Sequence, residues 1–520
     1  MAAVGAIVVN TNDACFYTFR TNSTCVVSSH RVPVFNLATS RDGWAEQNPM
    51  ALLEAVRQCV DRTVTAGQVM GIPVATVGIA NHPGSVVAWN RRTGAALCNL
   101  ILWSDHRTAT MVERYSWSYG KYRFQTTCGL PFSTCFAAFT IKWLIDNDVC
   151  VSEAYKNGNC YFGTVDTWLL WNLTGGLKNG VFATDTTNAA NTFLMNINSL
   201  RWDKKLLKFF GITIDCLPTI KSSCNVYGRF ADGPLKDTII SAVMGNRQAA
   251  LIGHRCFKRG STKITLDDAG SVFYVTDETK IFSDNGLMTT IAYHLDVKPV
   301  YALEGKIALA GKSIKWTKKQ FNIEDKDCQK KNPFSMYFVP AFHGLYAPHW
   351  QPMARCALVG MNQYTYRESI LKAAMESVSF QSQDILEAMR LDSKAPLDHL
   401  KVDGYLSTNK TIMQSLSNIT NARVEVATNN EMAELGVAMA AGYTAEINVW
   451  NALCMPEDVG KTYESKMKVD EREKRIYGWK KALRSSFNWI GFKKPADYLW
   501  TVAPVATAGI LLLGMYLITK

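Results

Sequence analysis

I-I-S-A-V-M-G-N-R-Q-A-A-L-I-G, residues 239–253, is the stretch around which the chain is organised. Residues 239–243 read as a buried strand, Gly245 as a turn, and the run from Ala249 to Ile252 as the apolar start of a helix. A strand that passes into a helix through a tight turn belongs to an α/β sheet. Such sheets present turn side chains at their carboxyl edge, where reacting groups collect. The tip residues here are Asn246 and Arg247.

At 520 residues the chain exceeds one ordinary core, and two domains of about 200 to 250 residues each are expected. A hydrophobic content of 48% supports folded structure throughout. The net charge of +12 is unevenly spread, since residues 461–494 hold eleven Lys or Arg against four Asp or Glu. No aromatic-basic motif accompanies that excess, which argues against a nucleic-acid partner. Fourteen cysteines without paired C-x-x-C spacing, and without a cleavable leader, read as reduced structural thiols.

Residues 499–518 carry no charge over twenty positions. A helix of that length spans about 30 Å, the thickness of a bilayer core. With Lys493 and Lys494 before it and Lys520 after it, the segment reads as a C-terminal single transmembrane helix, a tail anchor behind a basic linker at 491–498. The alternative is a buried terminal helix. An anchored chain would face the cytosol, with the basic linker on that side.

Several stretches resemble the FGGY family of carbohydrate kinases, glycerol kinases among them. Residues 245–253 are similar to the family's G-D-Q-Q-A-A-L-x-G, which places Asn246 where the catalytic Asp stands and Arg247 in place of a Gln. A carboxylate there accepts the substrate hydroxyl's proton as the oxygen attacks the γ-phosphoryl group, and a neutral amide cannot. Ala80-Asn81-His82-Pro83-Gly84-Ser85 resembles A-N-Q-R-E-T, whose Arg-Glu pair grips polyol hydroxyls. Pro83 and Gly84 can do neither job, although Pro-Gly makes a good turn. In G-L-P-F-S-T-C, residues 129–135, Cys135 replaces a Tyr that lines the glycerol pocket. No basic partner marks Cys135 as a nucleophile.

The nucleotide side departs in the same way. Asn10-Thr11-Asn12-Asp13-Ala14 stands against a phosphate hairpin D-x-G-T-T, so Asn10 replaces a metal-holding Asp while Asn12, Asp13 and Ala14 replace small phosphate-facing residues. A plain polar hairpin is the bland reading. Asp267-Asp268-Ala269 replaces a Gly-Thr-Gly turn, and its carboxylates would repel a polyphosphate unless they recruit Mg²⁺. Val402-Asp403-Gly404-Tyr405 resembles V-D-G-G, with Gly404 and Asn409 retained and Tyr405 where the second Gly accommodates adenine and ribose.

Scaffold motifs persist between these points. D-G-W-A-E-Q at 42–47, N-L-I-L-W-S-D-H-R-T at 99–108, F-G-T-V-D-T-W-L-L-W-N-L-T-G-G at 162–176, Y-A-L-E-G at 301–305 and V-P-A-F-H-G-L-Y-A-P-H-W at 339–350 follow the family closely. The resemblance implies two actin-like, ribonuclease-H-like α/β domains around a cleft, 1–252 on the polyol side and 253–490 on the nucleotide side. Because departures fall on the site and spare the scaffold, a degenerate, catalytically inactive binding or scaffold protein is expected, a pseudokinase at a membrane surface with no cofactor. Its partners would be the membrane, other proteins or a second copy. The alternative is an active ATP- and Mg²⁺-dependent kinase of glycerol or another small polyol, with relocated groups. The modest hydrophobicity of the tail, and the membrane association of animal glycerol kinases, favour the mitochondrial outer membrane over the endoplasmic reticulum.

Overall fold

The computed structural model describes residues 2–21, 23–37, 41–69, 71–323, 336–451 and 460–489. Two mixed sheets dominate. The strands of the first are β1 (Ala3–Val9), β2 (Asp13–Arg20), β3 (Val26–Pro33), β4 (Val74–Asn81), β5 (Cys224–Arg229) and β6 (Ile239–Gly245), in the order β5-β6-β4-β1-β2-β3. β6, β4 and β1 run parallel, and the other three are antiparallel to their neighbours.

β1 shows why these residues form this element. All seven of its residues are buried, as expected of a strand covered on both faces. Ile7 and Val9 join a core with Leu52, Leu53, Val56 and Val60 of helix α1 (Pro49–Val69), whose apolar positions recur at helical spacing. Val4, Ala6 and Val8 face the other way, toward Leu251 of α2 (Asn246–Gly253).

The second sheet comprises β7 (Thr262–Leu266), β8 (Gly270–Asp277), β9 (Met288–Tyr293), β10 (Val300–Ile307), β11 (His399–Asp403), β12 (Arg423–Val426) and β13 (Lys461–Tyr463), in the order β9-β10-β8-β7-β11-β12-β13. Helix α3 (Gly311–Phe321) and the long α4 (Arg367–Ser393) cover it, Ile370, Ala374, Val378 and Ile385 packing with Ile264, Val272 and Val402. α5 (Met432–Tyr443) follows the second sheet in sequence yet packs on the first beside α2. Val437 and Leu435 thereby share one core with Val4 of β1 and Phe273 of β8, which ties the two sheets together.

The strand expected at 239–243 runs to Gly245, and the helix begins at Asn246. One part of the expected fold is corrected, the C-terminal transmembrane helix. Among the described residues no helix is long and apolar enough to cross a membrane. Residues 491–498 and 499–518, on which the linker and the span were read, lie outside the described residues. Among the described residues the architecture is two α/β domains.

Candidate active site

Three parallel strands of the first sheet end side by side, Val9 and Gly245 both pairing with Asn81. Asn10, His82-Pro83-Gly84 and Asn246-Arg247 consequently emerge together at the carboxyl edge. The edge is held from behind. Gly245 N–H donates to Thr187 Oγ1 at 2.8 Å, Thr187 Oγ1 donates to Asp185, and Asn81 exchanges side-chain hydrogen bonds with Asn188 at 2.9 and 3.1 Å.

At the tip, Asn246 Nδ2 donates to Asn10 Oδ1 at 3.1 Å, and Asn10 Nδ2 donates in turn to Asp13 Oδ1 at 3.1 Å. Asp13 is ion-paired with Arg31 at 2.7 Å. Asn246 Oδ1 is buried with no partner among the described residues. The positions that the resemblance assigns to a base and a metal ligand thus hold two amides bonded to each other. Asp13, the nearest carboxylate in this chain of bonds, is engaged by a guanidinium.

The polyol positions also converge. A methyl on Gly84 would lie 2.6 Å from Cys135 O, and Gly84 adopts φ +87°, so both close approach and backbone conformation require glycine here. Pro83 Cγ lies 3.8 Å from where a Gly245 Cβ would stand. Cys135 is buried beside Ser133 Oγ at 3.4 Å, and burial pushes its thiol up, the opposite of nucleophile activation. Arg247 Nη1 donates to Ser271 Oγ of β8 at 3.1 Å, reaching across to the second sheet.

On the nucleotide side, Asp267 and Asp268 form the β7–β8 turn, and their carbonyls accept the N–H groups of Ala310, Gly311 and Lys312 at the start of α3. Tyr405 N–H donates to Asp267 Oδ1 at 3.0 Å, and the Tyr405 hydroxyl donates to Asp268 Oδ1 at 2.8 Å. The same ring lies over α3, its hydroxyl 1.8 Å from where a Gly311 Cβ would stand. Lys315 Nζ reaches Asp268 Oδ1 at 2.7 Å, and Asn12 Nδ2 donates to Asp268 Oδ2 at 3.0 Å. Burial works against the Asp268 charge, but the Lys315 and Tyr405 bonds outweigh it and hold the carboxyl below its usual range. Burial raises Asp267 instead. Gly404, at φ +88°, sits 2.4 Å from Leu266 O at its Cβ position, and Asn409 caps the helix Lys410–Thr420 by accepting from Thr411 and Ile412 N–H. Ala14 is buried in β2 and has no polar side-chain atom.

These groups do not fit a metal–nucleotide polyphosphate. The first N–H groups of α3 are spent on the turn's own carbonyls, Tyr405 covers Gly311, and Asp268 is already bound by three donors. Charged or buried neighbours not singled out from sequence complete the region. They are Arg31, which lies within 4 Å of Asp13, Glu431 and Glu434, the buried His82 and Glu304, and Lys306. Glu304 and Lys306 are two charged residues at alternate positions of the otherwise uncharged strand β10, a signal readable in the sequence.

Comparison with known proteins gives a consistent result. Residues 18–253 match the FGGY family of carbohydrate kinases, N-terminal domain, and residues 263–445 its C-terminal domain. The chain is 37% identical over 464 residues to the glycerol kinase of Acidiphilium cryptum (strain JF-5), spanning 86% of this chain and 92% of that one. It is 34% identical over 498 residues to the glycerol kinase of Brucella anthropi, spanning 94% and 99%. Among solved structures, Plasmodium falciparum glycerol kinase with ADP superposes with a TM-score of 0.83 at 31% identity, over 95% of this chain and 99% of that one. Xylulose kinase from Lactobacillus acidophilus shares the fold, with a TM-score of 0.79 at 18% identity over 97% and 99%. Its sequence and its two sheets alike make this chain a glycerol kinase-like member of the FGGY family of carbohydrate kinases.

Proposed function

We propose that this protein is a catalytically inactive member of its family, a binding or scaffold protein whose cleft holds a small ligand without phosphorylating it, and whose partner is another protein or a second copy. The observation that carries this reading is the Asn246–Asn10 pair at 3.1 Å. Phosphoryl transfer to a hydroxyl depends on a proton acceptor, on positioning and on charge neutralisation. Loss of a base alone lowers the rate by about two to four powers of ten. The missing hydroxyl grip at Pro83 and Gly84 adds to that loss. The test is steady-state phosphorylation of glycerol by the full-length protein with ATP and Mg²⁺. A rate within about tenfold of an ordinary glycerol kinase rejects the reading, since the base alone accounts for more than that.

A second reading is ATP-dependent phosphorylation of glycerol. The relatives favour it more directly than they favour inactivity, because the two described are glycerol kinases and the solved one of 31% identity carries ADP. The same assay separates the two.

A further inference from the structure

The polyol end of the cleft carries charge that a neutral triol does not need. Where the family pattern has Gln, this chain has Arg247 and His82. Among the described residues no carboxylate lies within ion-pair distance of Arg247, whose one side-chain bond is to Ser271 Oγ at 3.1 Å. Ser271 pairs across the ladder with Lys306, and Glu304 lies two residues along the same strand, so all three side chains share one sheet face. Burial pushes Glu304 up, against the opposing charges of Lys306 and Arg247. Glu304 is 2% exposed, and its Oε2 has no hydrogen-bond partner among the described residues. Lys306 Nζ spends one hydrogen on Asn191 Oδ1 at 2.9 Å and stands 5.1 Å from the Phe136 ring centroid.

His82 completes the set. Ser85 Oγ accepts the Trp103 N–H at 3.0 Å and lies 2.9 Å from His82 Nδ1. The Ser85 hydroxyl hydrogen has no other acceptor among the described residues, so it goes to Nδ1 and the ring hydrogen sits on Nε2. Nε2 is buried and without a partner among the described residues. Burial, with the Arg247 charge beside it, lowers His82 to about 4, so the ring is neutral near pH 7 and offers one N–H donor. An unmade bond to a buried polar atom is expensive, and Glu304 and His82 each keep one open.

We propose that this end of the cleft binds a small hydroxy-carboxylate, its carboxylate held by Arg247 with the His82 N–H and Lys306, and a hydroxyl donating to Glu304. Two cations against one carboxylate leave at least one positive charge for a monoanion to neutralise in a water-poor site. Arg247 supplies the planar fork that suits a carboxylate. The inference rests on the reading that the cleft binds rather than turns over glycerol.

The experiment is calorimetry of the full-length protein, without nucleotide, against D-glycerate, glycerol and glycerol 3-phosphate, repeated with Arg247→Gln and Glu304→Gln. Glycerate should bind at one site, with glycerol about ten- to a hundredfold weaker, the usual worth of a charged hydrogen bond. Arg247→Gln should weaken glycerate by a similar factor while leaving glycerol unchanged or improved, and Glu304→Gln should weaken both. Glycerol binding as tightly as glycerate, glycerol 3-phosphate binding where glycerate does not, or an Arg247→Gln variant that keeps full glycerate affinity would each overturn the proposal. Turnover is measured separately. Phosphorylation of glycerol would reject the inactive reading and leave the glycerate result standing, whereas absent glycerate binding would reject only the ligand.

Discussion

Asn12 Nδ2 donates to Asp268 Oδ2 at 3.0 Å, joining the β1–β2 turn of the first sheet to the β7–β8 turn of the second across 256 positions of sequence. Asp268 also accepts from Tyr405 and Lys315, and Lys315 Nζ stands 4.5 Å from the Tyr405 ring centroid. The nucleotide end of the cleft is therefore closed by the chain's own side chains. Each exposed contact contributes little alone, about 1 kcal/mol or less. Together they present a filled surface and two carboxylates where a polyphosphate would lie.

Weak or absent ATP binding follows from that arrangement, and calorimetry with ATP and Mg²⁺ checks it; a micromolar dissociation constant is the contrary outcome. Steric and electrostatic causes separate in a Tyr405→Gly variant. Removing the ring uncovers Gly311 but leaves Asp267 and Asp268 in place. Adenosine affinity should rise more than ATP affinity.

Asn246→Asp alone should not restore glycerol phosphorylation. The new carboxylate would face Asn10 Oδ1, now an acceptor opposite an acceptor, until the Asn10 amide turned over. The hydroxyl grip would still be missing. It cannot be supplied by Gly84→Glu, since any Cβ there meets Cys135 O at 2.6 Å. Recovery of activity in the single Asn246→Asp variant, to within about a hundredfold of an ordinary glycerol kinase, would mean that the base was the main loss.

Much of this was legible in the sequence where the signal is local. Residues 239–243 read as a buried strand from their apolar run before a glycine, the structure extending it to Gly245, and Pro83-Gly84 reads as a turn because proline fixes φ while glycine reaches the positive φ that the turn requires. The α4 helix is legible in the helical spacing of apolar Ile370, Ala373, Ala374, Val378, Ile385 and Met389. Arg31 was not, because its meaning lies in Glu431 and Glu434, roughly four hundred residues away in sequence. Tyr405 was read as an obstruction, but its bond to Asp268 spans 137 positions and leaves no local trace. Asn409 was assigned to the nucleotide by resemblance, although an Asn before a helix also carries the local mark of an N-cap.

The Arg31 cluster gives a pH dependence. One guanidinium faces Asp13, Glu431 and Glu434 at 2.7, 3.3 and 3.4 Å and cannot neutralise all three. Burial, then the Glu431 charge, pushes Glu434 up to about 7 from an ordinary 4.5. The folded state therefore holds the extra proton between those values, and stability falls as the pH rises through that window, by up to about 3 kcal/mol. Glu434→Gln mimics the protonated form and should flatten this slope. Denaturant midpoints at about pH 5 and about pH 8 check it; an unchanged slope in the variant would place the proton elsewhere.

The last prediction concerns what holds the edge in place. α2, which begins with Asn246 and Arg247, lies against α5 through backbone contact: a methyl on Gly436 would fall 1.8 Å from Ala249 O and 2.8 Å from Gly253 N, and one on Gly253 would fall 2.1 Å from Met432 O. Beneath them, a methyl on Gly78 of β4 would meet Val437 O at 2.6 Å. None of these obstacles is the end of a flexible side chain, so a Cβ must push one helix off the other. Gly436→Ala should destabilise by about 1–3 kcal/mol or more despite alanine's better helix propensity. Because α2 carries the tip residues on its first turn, the displacement should also weaken any ligand held by Arg247. Gly67→Ala in α1 is the matched control, as its methyl would meet only Ser28 Oγ at an ordinary 3.5 Å. There the helix preference acts unopposed, and the change should be neutral or stabilising by up to about 1 kcal/mol. Equal denaturant midpoints for the two variants would mean that α2 and α5 have slack to separate, and that the edge is not pinned by glycine contact.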